Sequence, residues 1–148
     1  MRTVLSAAIV LSLVVASSFA GAQAPGPKMQ VYKSATCGCC VKWVELLRKE
    51  GFTVTATDVP DIQAVKTKHQ VPDALASCHT TIVDGYVVEG HVPAADVKRL
   101  LKERPKVMGI AVPGMPMGSP GMESPNPQPY KVVTFDKKGP VAVFSTHP

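Results

Sequence analysis

Thr36-Cys37-Gly38-Cys39-Cys40 packs three of the chain's four cysteines into four residues, where a strand pattern gives way to a helical one. Met29 to Ser34 reads as the strand. After the motif, Cys40, Trp43, Val44 and Leu47 recur at helical spacing, with Leu46 beside them, and Gly51 closes the helix behind Arg48 and Lys49. Phe52 to Thr57 alternates apolar residues with threonines and reads as a second strand. A redox-type cysteine motif at the first junction of a βαβ unit points to an α/β fold. A helix N-terminus also favours thiolates, which exchange disulfides and bind soft metals.

The remaining pattern extends that unit. Asp61 to Gln70 reads as a weaker helix with Ile62, Val65 and His69 on one face, ended by Pro72. His79 to Val83 and Tyr86 to His91 are strands joined by Asp84-Gly85, a strong two-residue hairpin signal. Pro93 opens a helix at its first position, Val97, Leu100 and Leu101 face inward, and Pro105 ends it. The order predicts a thioredoxin-like (βαβαββα) domain over residues 29–108, with a parallel pair, an antiparallel hairpin and helices on both faces. Residues 109–148 read as an extension packed on the same domain. Within it, Ala111 to Pro129 is too rich in proline, glycine and methionine for regular structure. Tyr130 to Phe135 and Val141 to Ser145 form a hairpin around Asp136-Lys137-Lys138-Gly139.

The start of the chain reads as an export signal over residues 1–22. Arg2 supplies the positive region, Val4 to Ala16 the apolar run, and Ala20-Gly21-Ala22 the cleavage site before Gln23. The apolar run is short for a span of about 20 residues, and no later segment is apolar enough to cross a bilayer, so no membrane contact is expected after cleavage. The formal net charge is +5, and removing residues 1–22, which carry Arg2 and no acid, leaves +4. The basic residues are scattered and aromatics make up only 5% of the chain, a composition that argues against nucleic-acid binding.

Exported chains with an even number of cysteines are usually disulfide frameworks. Staples, however, gain stability by closing long loops, and three cysteines in one turn close only short ones. Cys37 and Cys40 have redox C-x-x-C spacing with Cys39 as an extra thiol between them. In a thioredoxin-like plan the segment entering the third strand packs against that turn, and redox members usually carry a cis-proline there. This chain has Ser77-Cys78-His79-Thr80 instead, which brings Cys78 to the other three thiols. Structural zinc usually takes its ligands as spaced pairs. Adjacent helical residues point about 100° apart, so Cys39 and Cys40 suit thiolates that bridge several ions. Cu(I), soft and tolerant of low coordination, fits this crowding, with disulfide exchange and zinc as the alternatives.

Four motifs in order carry a resemblance over nearly the whole mature chain: Cys37-Gly38-Cys39-Cys40; Ser77-Cys78-His79-Thr80; Gly90-His91-Val92-Pro93; and Val112-Pro113-Gly114-Met115-Pro116 running on to Gly118-Ser119-Pro120-Gly121-Met122-Glu123. The chain resembles the CopG family of periplasmic copper-resistance proteins. The resemblance implies a thioredoxin-like fold, a periplasmic location, and a multinuclear copper cluster bridged by cysteines that map to Cys37, Cys39, Cys40 and Cys78. It also implies interconversion of Cu(I) and Cu(II) in copper detoxification, with copper-export or copper-handling proteins as partners. Such turnover would make the chain a copper oxidoreductase, whereas the residues alone speak for binding.

Weaker candidate ligands are His79, Met115, Met117, Met122 and His147. His79 follows Cys78, and successive residues of a regular strand face opposite ways. Thioethers suit Cu(I), although methionine also fills irregular gaps in packing. His147 lies two positions after Ser145, near the end of the chain. His91 is expected to be partly exposed, and His69 to be structural. Three rival functions remain: a thiol–disulfide oxidoreductase using Cys37 and Cys40, a non-redox copper chaperone or buffer, and a disulfide-stapled domain.

Overall fold

Strand β1 (Lys28–Lys33) alternates buried and less buried residues, with Met29, Val31 and Lys33 facing inward. The computed structural model describes residues 25–148, so the expected signal over 1–22 lies outside the described residues. Helix α1 (Gly38–Lys49) buries Cys40, Trp43, Val44 and Leu47, the stripe that its spacing predicts. It ends where Gly51 turns left-handed at φ +95°, and its crossover sets β2 (Thr53–Asp58) parallel to β1.

Helix α2 (Ile62–Lys68) is shorter than its pattern suggests. The Asp61 carboxylate caps it by accepting from the N–H groups of Gln63 and Ala64 at 2.9 and 3.1 Å. Its most buried residue is Lys66, while Ile62, Val65 and His69 are only half-buried. The apolar stripe was a misleading guide because the ammonium of Lys66 finds a carboxylate inside, that of Glu89.

A single 3-10 turn (Asp73–Leu75) leads into β3 (His79–Val83), which pairs antiparallel with β1 and with β4 (Tyr86–Glu89). Asp84 and Gly85 both have positive φ, +48° and +86°, as a two-residue hairpin turn requires. Strand β4, expected to reach His91, stops at Glu89. Gly90 turns the chain at φ +74°, where a Cβ would lie 2.5 Å from the Ser77 side chain. That close approach swings His91 out of the strand and back towards Cys78.

Helix α3 (Ala94–Glu103) follows Pro93, which sits at the cap, and buries Val97 and Leu100. It carries the chain to β5 (Gly109–Ala111), a strand too short to show as a pattern in the sequence. Gly109 lies so close to β4 that a Cβ would meet the Val87 carbonyl at 1.9 Å. Strand β5 runs parallel to β4 and antiparallel to β6 (Tyr130–Asp136), which pairs in turn with β7 (Gly139–His147). The C-terminal hairpin therefore continues the main sheet, whose seven strands run β2-β1-β3-β4-β5-β6-β7. The first four have the order and directions that the βαβαββα reading requires. Trp43, Leu47, Leu100, Ile110 and Phe135 are among the largest fully buried side chains. Among the described residues no helix is long and apolar enough to cross a membrane.

Candidate metal centre

The end of β1, the start of α1, the entry to β3 and the turn after β4 meet at one end of the sheet. Cys37 occupies the N-cap of α1 without capping it, and no acidic residue stands in the first turn. The helix therefore presents its partial positive charge to the sulfur atoms. The sulfurs of Cys37, Cys39, Cys40 and Cys78 all lie within 4.8 Å of one another. Cys39 Sγ is 3.6 Å from Cys37 Sγ, and Cys40 Sγ is 3.9 Å from the Cys78 carbonyl. The structure brings together all four cysteines that the sequence expects to share a site. Cys37 and Cys40, however, are joined as a disulfide, leaving Cys39 and Cys78 as free thiols.

Cys78 also belongs to a second group with His79 and His91, whose donor atoms again lie within 4.8 Å of one another. Its Sγ is 2.9 Å from His91 Nε2 and 3.4 Å from His79 Nδ1. Cys78 precedes β3, so strand alternation does not separate it from His79. His91, expected to be partly exposed, is fully buried. Sequence reasoning missed it as a site residue, although Gly90-His91-Val92-Pro93 was already a motif. Gly90 supplied the signal, because a glycine ending a strand can turn its successor inward.

The histidines are held from behind. His91 Nδ1 donates to the Pro120 carbonyl at 2.8 Å, which places the proton there and leaves Nε2 as a lone pair facing Cys78. Ligand histidines are commonly oriented in this way. His79 is wedged between Trp43 and His91, with ring centroids 4.5 and 5.0 Å away. Its buried Nε2 has no hydrogen-bond partner. Trp43 is itself tied by its indole N–H to the Val92 carbonyl at 2.9 Å.

Burial sets the protonation states. It pushes the Cys78 thiol up to about 12, with Cys39 beside it adding to the shift. Burial holds His79 well below the usual imidazole range, helped by nearby His91 and Lys66. It also lowers His91, partly offset by the Pro120 carbonyl and Glu123. Both imidazoles are therefore neutral at pH 7 and available as ligands, while Cys78 keeps its proton until a cation displaces it.

Beneath Cys78 lies a buried polar network. Glu89 accepts from Lys66, from the Ser77 N–H at 2.7 Å and from the Thr80 hydroxyl at 2.7 Å. It holds the Ser77 backbone before Cys78 and the Thr80 side chain after it. The loop over residues 113–123 closes the opposite side, where a Cβ on Gly121 would meet the Cys39 carbonyl at 2.8 Å.

Other expected ligands are spread differently. Met117 and Met122 line a cleft of about 360 Å³ with Cys39, and Met115 lines one of about 300 Å³ with Cys78. His147 is bound elsewhere, its Nε2 2.7 Å from Asp96 Oδ2 on α3 and its ring stacked on Tyr130. His69 stacks on Tyr32 at 6.0 Å, a structural contact.

The donor set fits a soft metal: cysteine sulfurs at one end and neutral imidazoles at the other. A family model described as a protein of unknown function, DUF411, matches residues 75–122, which span Cys78, both histidines and the methionine loop. No curated protein matches the chain. Two solved structures of copper resistance protein CopG do. Each is 44% identical with a TM-score of 0.78, and forms 1 and 2 cover 84% and 83% of this chain and 99% of their own.

Proposed function

The chain belongs to the CopG family of copper-resistance proteins, and on that premise we propose that it binds several copper ions and interconverts Cu(I) and Cu(II) in the periplasm. The observation that carries this reading is the meeting of two donor sets at Cys78: sulfurs from Cys37, Cys39 and Cys40, and imidazoles from His79 and His91. Thiolates select Cu(I), while imidazole also suits Cu(II), so one pocket offers ligands to both states of its substrate. The export signal over residues 1–22 supports the periplasmic location.

The disulfide supports the redox half of the reading. Two electrons separate it from the dithiol, and each Cu(II) reduced to Cu(I) takes one. The Cys37–Cys40 dithiol can thus reduce two Cu(II), releasing two protons and closing to the disulfide found here. The rest of the pocket then has defined tasks. Glu89 and Lys66 hold Cys78 in place, Pro120 aims His91, and Trp43 packs against the His79 ring.

Titration of the reduced, mature chain with Cu(I) under anaerobic conditions tests the proposal. Several equivalents per chain are expected, with nearly all lost in Cys39→Ser. Uptake of a single ion would end the multinuclear reading. Electrochemistry of the loaded protein separates an oxidoreductase, which cycles reversibly, from a chaperone or buffer, which does not. A thiol–disulfide oxidoreductase would instead reduce a disulfide substrate with Cys39 dispensable.

A further inference from the structure

Four sulfurs share one pocket, yet only two of them are joined. Cys37 and Cys40 form the disulfide, and Cys39 and Cys78 stay as thiols. The two thiols are neighbours in space, since all four sulfurs lie within 4.8 Å of one another. A disulfide needs its sulfurs at about 2.0 Å, so pairing takes side-chain rotation. Both thiols are only half-buried, and neither is locked in place by the core. Cys39 also lines a cleft of about 360 Å³ and Cys78 one of about 300 Å³, so an oxidant in solution reaches each of them.

Elimination gives the pairing. Cys40 is fully buried and already bonded, with its Sγ 3.9 Å from the Cys78 carbonyl. Cys37 Sγ is 3.6 Å from Cys39 Sγ, but a bond between them would open the disulfide that Cys37 already makes. Cys78 is the sulfur that Cys39 can join while the first bond stays closed.

We propose that Cys39 and Cys78 form a second redox pair, so that the reduced chain holds four electrons rather than two. The step balances. The two thiols give up two protons to solvent and two electrons, one S–S bond forms, and two Cu(II) become two Cu(I). With the Cys37–Cys40 pair, one chain reduces four Cu(II). Cu(II) as the oxidant rests on the function proposed above, whereas the pairing does not.

The two bonds act differently on the fold. Cys37–Cys40 spans three positions within one turn of chain. Cys39–Cys78 spans 39, that is 78 minus 39, and ties the start of α1 to the entry of β3. It also commits the sulfur that lies 2.9 Å from His91 Nε2. The fully oxidised chain therefore offers copper no thiolate until a reductant opens it.

Two measurements test the pairing. The first adds Cu(II) to the fully reduced, metal-free mature chain under anaerobic conditions and counts the Cu(I) produced as its bicinchoninate complex. Four per chain are expected, falling twofold to two in Cys39→Ser and in Cys78→Ser. Two in the unaltered chain would overturn the proposal. The second oxidises the reduced chain with diamide, a copper-free thiol oxidant, and maps its cross-linked peptides by mass spectrometry without reduction. Cys39 should be found joined to Cys78. Cys39 joined to Cys37, or left free, would refute the pair. A Cys39–Cys78 bond formed by diamide in a chain that reduces no Cu(II) would keep the pair and remove the proposed function.

Discussion

The candidate metal centre has two halves built in opposite ways. Cys37, Cys39 and Cys40 come from one turn of chain at the start of α1, and Cys37 and Cys39 remain partly exposed. Cys78, His79 and His91 come from the entry to β3 and the turn after β4, and both histidines are fully buried. The first half needs only a strand-to-helix junction to exist. The second needs Gly90 packed on Ser77, His91 bonded to Pro120, and the Lys66–Glu89 pair in place. A contiguous motif can thus supply reactive sulfur, while a buried pocket assembled from distant residues governs protonation and orientation.

The largest effect should come from Cys78, where the second half meets the sulfurs of the first. Cys78→Ser is expected to remove nearly all Cu(I) uptake, read as metal per chain by mass spectrometry, whereas a loss confined to Cu(II) would divide the halves into independent sites. Breaking the support of the second half comes next. Lys66→Met leaves Glu89 buried without its cation and should cost about 3–5 kcal/mol in urea unfolding. A cost near that of a surface change would mean that the pair does not hold the pocket. His91→Gln should then weaken copper binding by about 10–100-fold in chelator competition, with Cu(II) affected more than Cu(I).

Thiol reactivity offers a finer test. Because burial places the Cys78 thiol at about 12, its alkylation in the metal-free chain should keep rising about tenfold per pH unit from pH 7 to 10. An ordinary cysteine levels off above a pH of about 9. A plateau at Cys78 would show that its half is open to water. The smallest effect is expected far from both halves. Lys98 and Glu50 form an ion pair at the surface, each about half exposed, and Lys98→Ala should change stability by no more than about 1 kcal/mol.

Much of the frame was legible before the structure. The α1 stripe, the Asp84-Gly85 turn, β3 and the α3 core residues follow from periodicity and turn chemistry within a few residues of sequence. Strand β5 did not, because three residues carry no period and Gly109 is a strand residue only through its contact with Val87. Lys66 did not, because a buried lysine reads as solvent-facing until its carboxylate is found 23 residues away. Among the site residues the cysteines were legible from spacing and from the missing proline before β3. His147 illustrates the opposite case: a metal-binding residue type near the pattern's end, bound instead to Asp96, 51 residues earlier.

The amino-acid order alone determined where sulfur gathers, because three cysteines in four residues at a helix start remain neighbours in any fold that keeps the junction. It also determined the succession of strands and helices, since period and turn residues act over short stretches of chain. Only the tertiary structure decided that His91 faces Cys78, that His79 lies against Trp43, and that the methionine loop closes over both free thiols. Those contacts join residues 13 to 83 positions apart. They depend on a buried ion pair and close packing, neither of which leaves a local mark in the sequence, and on the left-handed turn at Gly90, which shows there only as a glycine at the end of a strand.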